Sequence, residues 1–206
     1  MSKGPNSSGT QRNESISVRL DPDPITIALV ALAVYSALIS TLDLVLRHLD
    51  SIADEYRRPL TQALLGLRGD LKRLQAQLKT FEHFLKSNEI SPESPLTPSA
   101  AKLNLTPEDY ETYRRLVQDT IDIVRDVENN GMVLATLVET HGEKVFSAKS
   151  EDVQRLQRDL GRAIDSFSEA RYAKNLSTFL QQSKSASRAL NRAFNRMQKV
   201  LWKTRD

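Results

Sequence analysis

Residues 24–49, PITIALVALAVYSALISTLDLVLRHL, form the most apolar stretch of this chain and decide how its fold is interpreted. The eighteen residues from Ile25 to Leu42 carry no charged side chain. At about 1.5 Å per residue they form roughly 27 Å of helix, slightly less than a hydrocarbon core of about 30 Å. Extending the span would bury Asp43, which costs about 2.5 to 3.5 kcal/mol at a central position. Insertion into a bilayer is therefore marginal, and we predict that this helix packs inside a protein bundle.

Beyond Leu42 the apolar surface narrows to a stripe. Apolar residues recur there at helical spacing, and charged residues lie between them. Pro24 suits a first helical turn, and Asp23 precedes it as a capping residue. We therefore predict one unbroken helix from Ile25 to about Arg57. The stripe consists of Leu42, Val45, Leu46, Leu49, Ile52 and Ala53.

A leucine heptad pattern follows Pro59. Proline disfavours helix at the residue before it, so a boundary is expected at residues 57–59. The apolar residues that follow alternate spacings of four and three, as in a coiled-coil seam. The short connection favours an antiparallel hairpin over residues 24–88 rather than one long kinked helix. The seam consists of Leu60, Leu64, Leu67, Leu71, Leu74, Leu78, Phe81 and Leu85.

A linker rich in proline and serine divides the chain at residues 89–105. Thr106 and Pro107 then begin a helix, with Thr106 as the capping residue. We expect an interruption of that helix at residues 129–131 and its end at residues 141–142.

The last long helix is predicted to begin at Ser150, where Glu151 and Asp152 follow in the first turn. Its apolar stripe continues to Leu201, with a weaker stretch at residues 183–187 where the helix can bend. The second helical half of the chain therefore covers residues 106–206.

The composition favours an all-α fold. Seven glycines and 6% aromatic residues fit a helical chain better than a sheet protein, and the 39% apolar fraction is that of a globular domain. Residues 1–23 are polar without periodicity, which predicts a disordered tail. We therefore predict a bundle of four to five long antiparallel helices, forming a single domain over residues 24–206.

No residue pattern indicates catalysis. The chain has no cysteine, which excludes disulfides, thiol catalysis and thiolate metal sites. Its histidines, His48, His83 and His141, lie in separate segments without a second metal ligand at helical spacing. No phosphate-binding glycine motif occurs, and no nucleophile has a recognisable base partner. We predict a non-enzymatic protein with no cofactor and no metal, in which the histidines are ordinary bundle residues.

The C-terminal segment is strongly basic. Residues 171–206 contain nine basic side chains and one acidic one, Asp206, a net +8 in a chain whose total is +3. Basic residues four apart form one ridge, opposite Leu190 and Phe194, and Trp202 lies near the end. Such a helix can lie on an anionic membrane, where each basic residue contributes about 1 kcal/mol. The ridge, called the basic face below, consists of Lys184, Arg188, Arg192, Arg196, Lys199 and Lys203.

The basic face has two other interpretations. A bundle helix can simply expose a basic side to solvent, without any ligand. Binding of nucleic acid is the third, but no aromatic residues for base stacking are interleaved with the charges. We therefore expect anionic membrane lipids as the partner, and not nucleic acid.

The order of segments resembles a known class of domain. Residues 23–28, DPITIA, open an apolar helix rich in small residues, which becomes amphipathic and is followed by the leucine heptads. This is similar to the N-terminal helical domains of the HeLo and HeLo-like class, including bacterial Bell domains and the four-helix bundle of the necroptosis pseudokinase. The resemblance covers residues 23–85. It implies a latent bundle whose first helix inserts into membrane on oligomerisation. The residues that would insert are Ile25, Ile27, Leu29, Val30, Leu32, Val34, Leu38, Ile39 and Leu42.

The expected function is thus a helical-bundle effector that targets or permeabilises membranes in cell death or immune defence. The resemblance implies a cytoplasmic protein that associates with membrane on activation and forms a homo-oligomer there. The chain shows neither an amyloid-type signalling motif nor a fused ATPase, so the resemblance does not indicate a trigger.

Two alternatives remain at this stage. One is a constitutive single-pass anchor followed by a coiled-coil scaffold. The other is a soluble adaptor whose leucine seam binds a helix of a partner protein. The position of residues 25–42 in the folded chain distinguishes the latent bundle from the anchor, because a latent bundle surrounds this helix with other helices and an anchor leaves it alone.

Overall fold

The computed structural model confirms an all-α bundle. It describes residues 24–49, 54–91, 94–96, 103–146 and 150–203. The predicted disordered tail at residues 1–23 lies outside the described residues, as do the side chains of residues 24–31. Five long helices make up nearly all of the described part: α1 (Pro24–Arg47), α2 (Asp54–Ser87), α3 (Pro107–Phe146), α4 (Ser150–Arg171) and α5 (Leu176–Lys203).

The helices form a closed ring in chain order. Each helix packs antiparallel against the next one in sequence, and α5 returns to pack against α1. Because the chain direction alternates through five helices, the first and the last point the same way. Their contacts show this parallel pairing, since Tyr35 reaches Ser183 and, farther along both helices, His48 reaches Trp202.

The core runs continuously through the centre of this ring. The leucine seam of α2 faces it, and every seam residue is at most 8% exposed. The seam is therefore filled by the chain's own helices. Aromatic side chains of the other helices complete the core, and the fully buried ones include Tyr113, Phe146, Phe179 and Phe194.

The first helix ends earlier than the sequence predicts. α1 stops at Arg47 and α2 begins at Asp54, so the expectation of an unbroken helix to about Arg57 is wrong. Pro59 lies inside α2 instead of marking its start. In the second turn of a helix, proline cannot donate a bond to the carbonyl of residue 55, and its ring crowds that carbonyl, so Pro59 lies inside α2 at a cost in stability. The apolar stripe continues across the chain reversal, which is why periodicity alone does not locate it.

The third helix is longer than predicted. α3 is continuous through residues 129–131 and beyond residues 141–142, so neither the interruption nor the early end is present. Asn130 donates a side-chain hydrogen bond to Asp70 of α2, and Gly131 is buried. No glycine in the described residues has a positive φ. These weak helix formers thus serve close contacts with neighbouring helices and do not form a turn.

The predicted last helix is two helices. α4 ends at Arg171 and α5 begins at Leu176, so one continuous helix from Ser150 is wrong. Asn175 caps α5, since its Oδ1 accepts the backbone N–H of Thr178 at 2.8 Å. The bend expected at residues 183–187 does not occur, and this stretch is helical.

The described residues 94–96 of the linker bond to the turn between α4 and α5. The Leu96 N–H donates to the Lys174 carbonyl at 3.1 Å, and the Leu176 N–H donates to the Ser94 carbonyl at 3.3 Å. The start of α3 beyond the linker is as predicted, because Thr106 Oγ1 accepts the backbone N–H of Asp109 at 3.1 Å. The two halves of the chain are therefore tied together at this end of the bundle.

Candidate functional site

The apolar helix α1 lies between α2 and α5. Its inner face is buried against them, with Leu38 and Leu42 fully buried and Ile39 8% exposed. The buried stripe continues through Val45 and Leu49. Two neighbouring helices therefore cover the described inner face of the apolar segment at residues 25–42.

A buried polar contact joins α1 to α5. Tyr35 is completely buried, and its hydroxyl donates a hydrogen bond to the Ser183 carbonyl at 3.4 Å. The Ser187 hydroxyl donates to the same carbonyl at 2.8 Å. Ser183 and Ser187 are both fully buried, and their small side chains let the tyrosine ring approach α5. A buried hydroxyl needs such a partner, so this contact fixes the register between the two helices.

Two polar contacts join α1 to α2. Gln75 Nε2 donates to Ser36 Oγ at 2.6 Å. Arg68 forms an ion pair with Asp43 in which two guanidinium nitrogens bond the two carboxylate oxygens. Their side chains are 33% and 34% exposed, so solvent screens the pair only in part. Asp43, which limits a membrane span in the sequence, thus holds α1 on α2 in the bundle.

A fourth contact lies at the end of α1. Trp202 Nε1 donates a hydrogen bond to His48 Nε2 at 2.6 Å, and the two rings pack edge to face with centroids 5.5 Å apart. Trp202 is the single tryptophan of the chain and is 53% exposed. The α1 interface, as named below, consists of the pairs Tyr35–Ser183, Ser36–Gln75, Asp43–Arg68 and His48–Trp202.

The predicted insertion residues have different surroundings. Leu38, Ile39 and Leu42 are buried in the bundle, and Leu32 and Val34 are half-buried. The side chains of four others lie outside the described residues: Ile25, Ile27, Leu29 and Val30. Membrane insertion of the described residues would therefore require α1 to leave its contacts with α2 and α5.

The basic face lies on α5 as predicted, but its members are not equally exposed. Arg188, Arg192 and Lys199 are exposed, whereas Lys184 and Arg196 are half-buried. The side chain of Lys203 lies outside the described residues. The basic face therefore presents three exposed cations among the side chains that are described.

A buried carboxylate of α4 lies against the basic face. Asp159 is 4% exposed, and its Oδ2 accepts a hydrogen bond from Arg196 Nε at 3.0 Å. Its Oδ1 lies 3.9 Å from Arg192 Nε. One carboxylate thus contacts two of the six predicted lipid-binding residues.

The other buried carboxylates of the described chain are also ion-paired. Glu128 of α3 lies 3.0 Å from Arg171 of α4, and Glu82 lies 2.6 Å from Lys86 one turn along α2. Among the described residues, no group of three or more His, Asp or Glu side chains is placed to hold a metal ion. Each of these buried carboxylates therefore has a basic partner.

Comparison with known proteins identifies no relative. No family model, no curated protein and no solved structure matches the chain. Among the described residues, no helix is both long enough and apolar enough to cross a membrane. The function proposed below is therefore argued from the residues and contacts of this chain.

Several contacts of the site have no clear signal in the sequence. No local pattern singles out Asp159 or the pair that Arg68 makes with Asp43. Arg68 lies next to the leucine seam of α2, on a side that can face α1, and this position is the one sequence signal for its contact with Asp43. The Tyr35–Ser183 contact has no sequence signal, because it depends on the parallel packing of the first and last helices.

Proposed function

We propose that this protein is a latent membrane-targeting bundle, in which α1 leaves α2 and α5 to enter a membrane. The observation that carries the proposal is the α1 interface. An eighteen-residue uncharged segment is held in the bundle by a small number of polar contacts, several of which are near the surface. The basic face would bring the chain to anionic lipids, where each cation contributes about 1 kcal/mol.

The surroundings of α1 favour this proposal over a constitutive anchor. A permanent anchor has no need of partners within its own chain, whereas Tyr35, Ser36 and Asp43 each have one. The adaptor alternative is less favoured for a similar reason. The leucine seam that would bind a partner helix is buried by the chain's own helices, so a partner would have to displace them.

A reversible cross-link between α1 and α2 tests the proposal. Because the chain has no cysteine, Ser36→Cys with Gln75→Cys provides one defined pair for a short bismaleimide that contains a disulfide. The assay is dye release from anionic liposomes. We expect the cross-linked protein to release no dye and release to return when reductant cleaves the linker.

The matched control joins α2 to α3 and leaves α1 untouched. Arg73 and Asp126 form an ion pair between these helices, and both side chains are about half exposed. Arg73→Cys with Asp126→Cys, cross-linked in the same way, should therefore release dye as the wild-type protein does.

Arg68→Ala weakens the α1 interface and should increase the rate of release, and Leu32→Glu should reduce it. The proposal fails if neither wild-type protein nor Arg68→Ala releases more dye than the protein with α1 cross-linked. Equal release by wild-type protein and Leu32→Glu would also contradict a role for α1 in insertion.

A further inference from the structure

Three exposed arginines of α4 lie next to the basic face of α5. Arg155, Arg158 and Arg162 are all exposed, and they lie within one turn of Asp159. Residues three and four apart on a helix share one side, so Arg155 and Arg162 flank Asp159. The contact of Asp159 with Arg196 sets the antiparallel register of α4 on α5. Arg155 itself pairs with Glu151 one turn earlier, and the two arginines that contact Asp159 are Arg192 and Arg196 of α5.

Asp159 is 4% exposed and pairs with guanidinium groups of α5 that could otherwise bind an anionic ligand. It receives a hydrogen bond from Arg196 at 3.0 Å and lies 3.9 Å from Arg192. Guanidinium groups bind carboxylate and phosphate oxygens with the same geometry. The Arg196 side chain is only 32% exposed and the Arg192 side chain is 55% exposed. The ion pair with Asp159 therefore keeps at least the Arg196 guanidinium partly away from solvent. The carboxylate reduces the positive charge available at the centre of the surface.

We propose that Asp159 is an internal competitor for anionic lipid headgroups, and that a membrane binds this surface by displacing it from Arg192 and Arg196. The surface, named the α4–α5 basic surface, consists of Arg155, Arg158, Arg162, Arg188, Arg192, Arg196 and Lys199. The inference rests on the proposed function for its choice of a membrane as partner. It adds three lipid-contacting arginines of α4 and a carboxylate that limits binding in the resting bundle.

Asp159→Asn removes the competing charge and keeps the shape of the side chain. It should raise the affinity for phosphatidylserine vesicles by about tenfold, because it frees up to two arginines that each contribute about 1 kcal/mol. Arg192→Gln with Arg196→Gln should lower the affinity and abolish the gain from Asp159→Asn in the triple variant. The assay is cosedimentation of the full chain with equimolar phosphatidylserine and phosphatidylcholine. Vesicles of phosphatidylcholine alone are the uncharged comparison.

Asp165→Asn is the matched control, because Asp165 is exposed on the same helix and the substitution changes the net charge equally. It should leave the affinity within about twofold of wild type, because it removes one anion at an exposed position that is screened by salt. An equal gain from Asp165→Asn and Asp159→Asn would show a general charge effect and would overturn the proposal. So would a gain from Asp159→Asn that persists without Arg192 and Arg196.

Circular dichroism, binding of duplex DNA and dye release are measured beside vesicle binding. Circular dichroism identifies a folding defect in Asp159→Asn, and in that case the loss of affinity in Arg192→Gln alone must carry the proposal. Duplex DNA is offered in parallel, and binding to DNA without binding to vesicles overturns the choice of partner. Dye release is recorded in the same samples. Tighter vesicle binding by Asp159→Asn without any dye release supports this inference and contradicts insertion of α1. Dye release without a change in vesicle binding supports insertion of α1 and contradicts this inference.

Discussion

Replacing Gly142 with alanine should destabilise the bundle, although alanine is the better helix former. An ideal Cβ at Gly142 would lie 2.7 Å from Cγ1 of Val153 on α4. Val153 is 4% exposed, so it has little room to move away. Overpacking of this kind costs about 1 to 3 kcal/mol. Alanine regains about 1 kcal/mol of helix propensity, so the net loss should be roughly 0 to 2 kcal/mol.

Gly69→Ala provides the matched control on α2. Gly69 is exposed, and a Cβ there would meet nothing within 4 Å. The same substitution should therefore stabilise the protein by about 1 kcal/mol. Urea unfolding followed by circular dichroism measures both variants, and their free energies of unfolding should differ by about 1 to 3 kcal/mol.

A second comparison decides the physical cause. In a Val153→Ala background the clash is absent, so Gly142→Ala should stabilise the protein as Gly69→Ala does. If Gly142→Ala is stabilising in the wild-type background, α3 and α4 do not approach each other there. If it is destabilising regardless of Val153, Gly142 has the left-handed backbone of a helix-ending glycine, and α3 ends where the sequence pattern first indicated.

Two tyrosines give further predictions. Tyr35→Ala should cost about 3 to 5 kcal/mol of unfolding free energy, as for other large aromatic deletions, and Tyr35→Phe only about 1 kcal/mol, measured by urea unfolding. A Tyr35→Phe loss as large as that of Tyr35→Ala would contradict the weak hydrogen bond to Ser183. Burial, with a smaller contribution from Tyr110, raises the pKa of Tyr113 to about 12. Tyr113 therefore stays protonated in the folded state at pH values where it is ionised in the unfolded state, whose pKa is about 10. The free energy of unfolding should fall between about pH 10 and about pH 12, by at most about 1.4 kcal/mol per pH unit. Tyr113→Phe should lose less stability than wild type over that range, and equal slopes would show that Tyr113 does not contribute.

The helices themselves were predictable because each buries a stripe of regular spacing. The leucine seam of α2 and the capped start of α3 at Thr106 are encoded in local sequence, and both are present in the structure. Such features depend only on residues within a few turns of one another. Fold class therefore follows from the sequence with no knowledge of tertiary contacts.

The helix ends were less predictable because tertiary contacts override local preference. Asn130 and Gly131 are poor helix formers, yet they lie inside α3 where Asn130 bonds Asp70 of the neighbouring helix. The break before α5 has one local signal, the capping Asn175, but the apolar stripe runs on through it. The same limitation hides the α1 interface, since each of its pairs joins residues at least 25 positions apart.

The energetics of α1 are consistent with a helix that can change its environment. Its apolar side chains gain about 25 cal/mol per Å² when they leave water, and the interior of a bundle and a lipid core provide this gain alike. The choice between the two therefore depends on the polar contacts. Neutral hydrogen bonds such as that of Tyr35 contribute about 1 kcal/mol each, and a partly exposed ion pair such as Arg68–Asp43 contributes up to about 1 kcal/mol.

A few kcal/mol are thus enough to hold α1 in the bundle, and a few are enough to release it. Under the proposed function, the cations of the α4–α5 basic surface contribute about 1 kcal/mol each near an anionic membrane, less the cost of the ion pairs that Arg155, Arg192 and Arg196 already make. Membrane binding at this surface can promote the release of α1 only if the membrane binds the bundle without α1 more tightly than the closed bundle. Under the proposed function, α5 would connect the two events, because it carries both the arginines that contact Asp159 and the serines that pack on Tyr35. A small displacement of α5 toward the membrane would weaken the Tyr35 contact and the Trp202–His48 contact together.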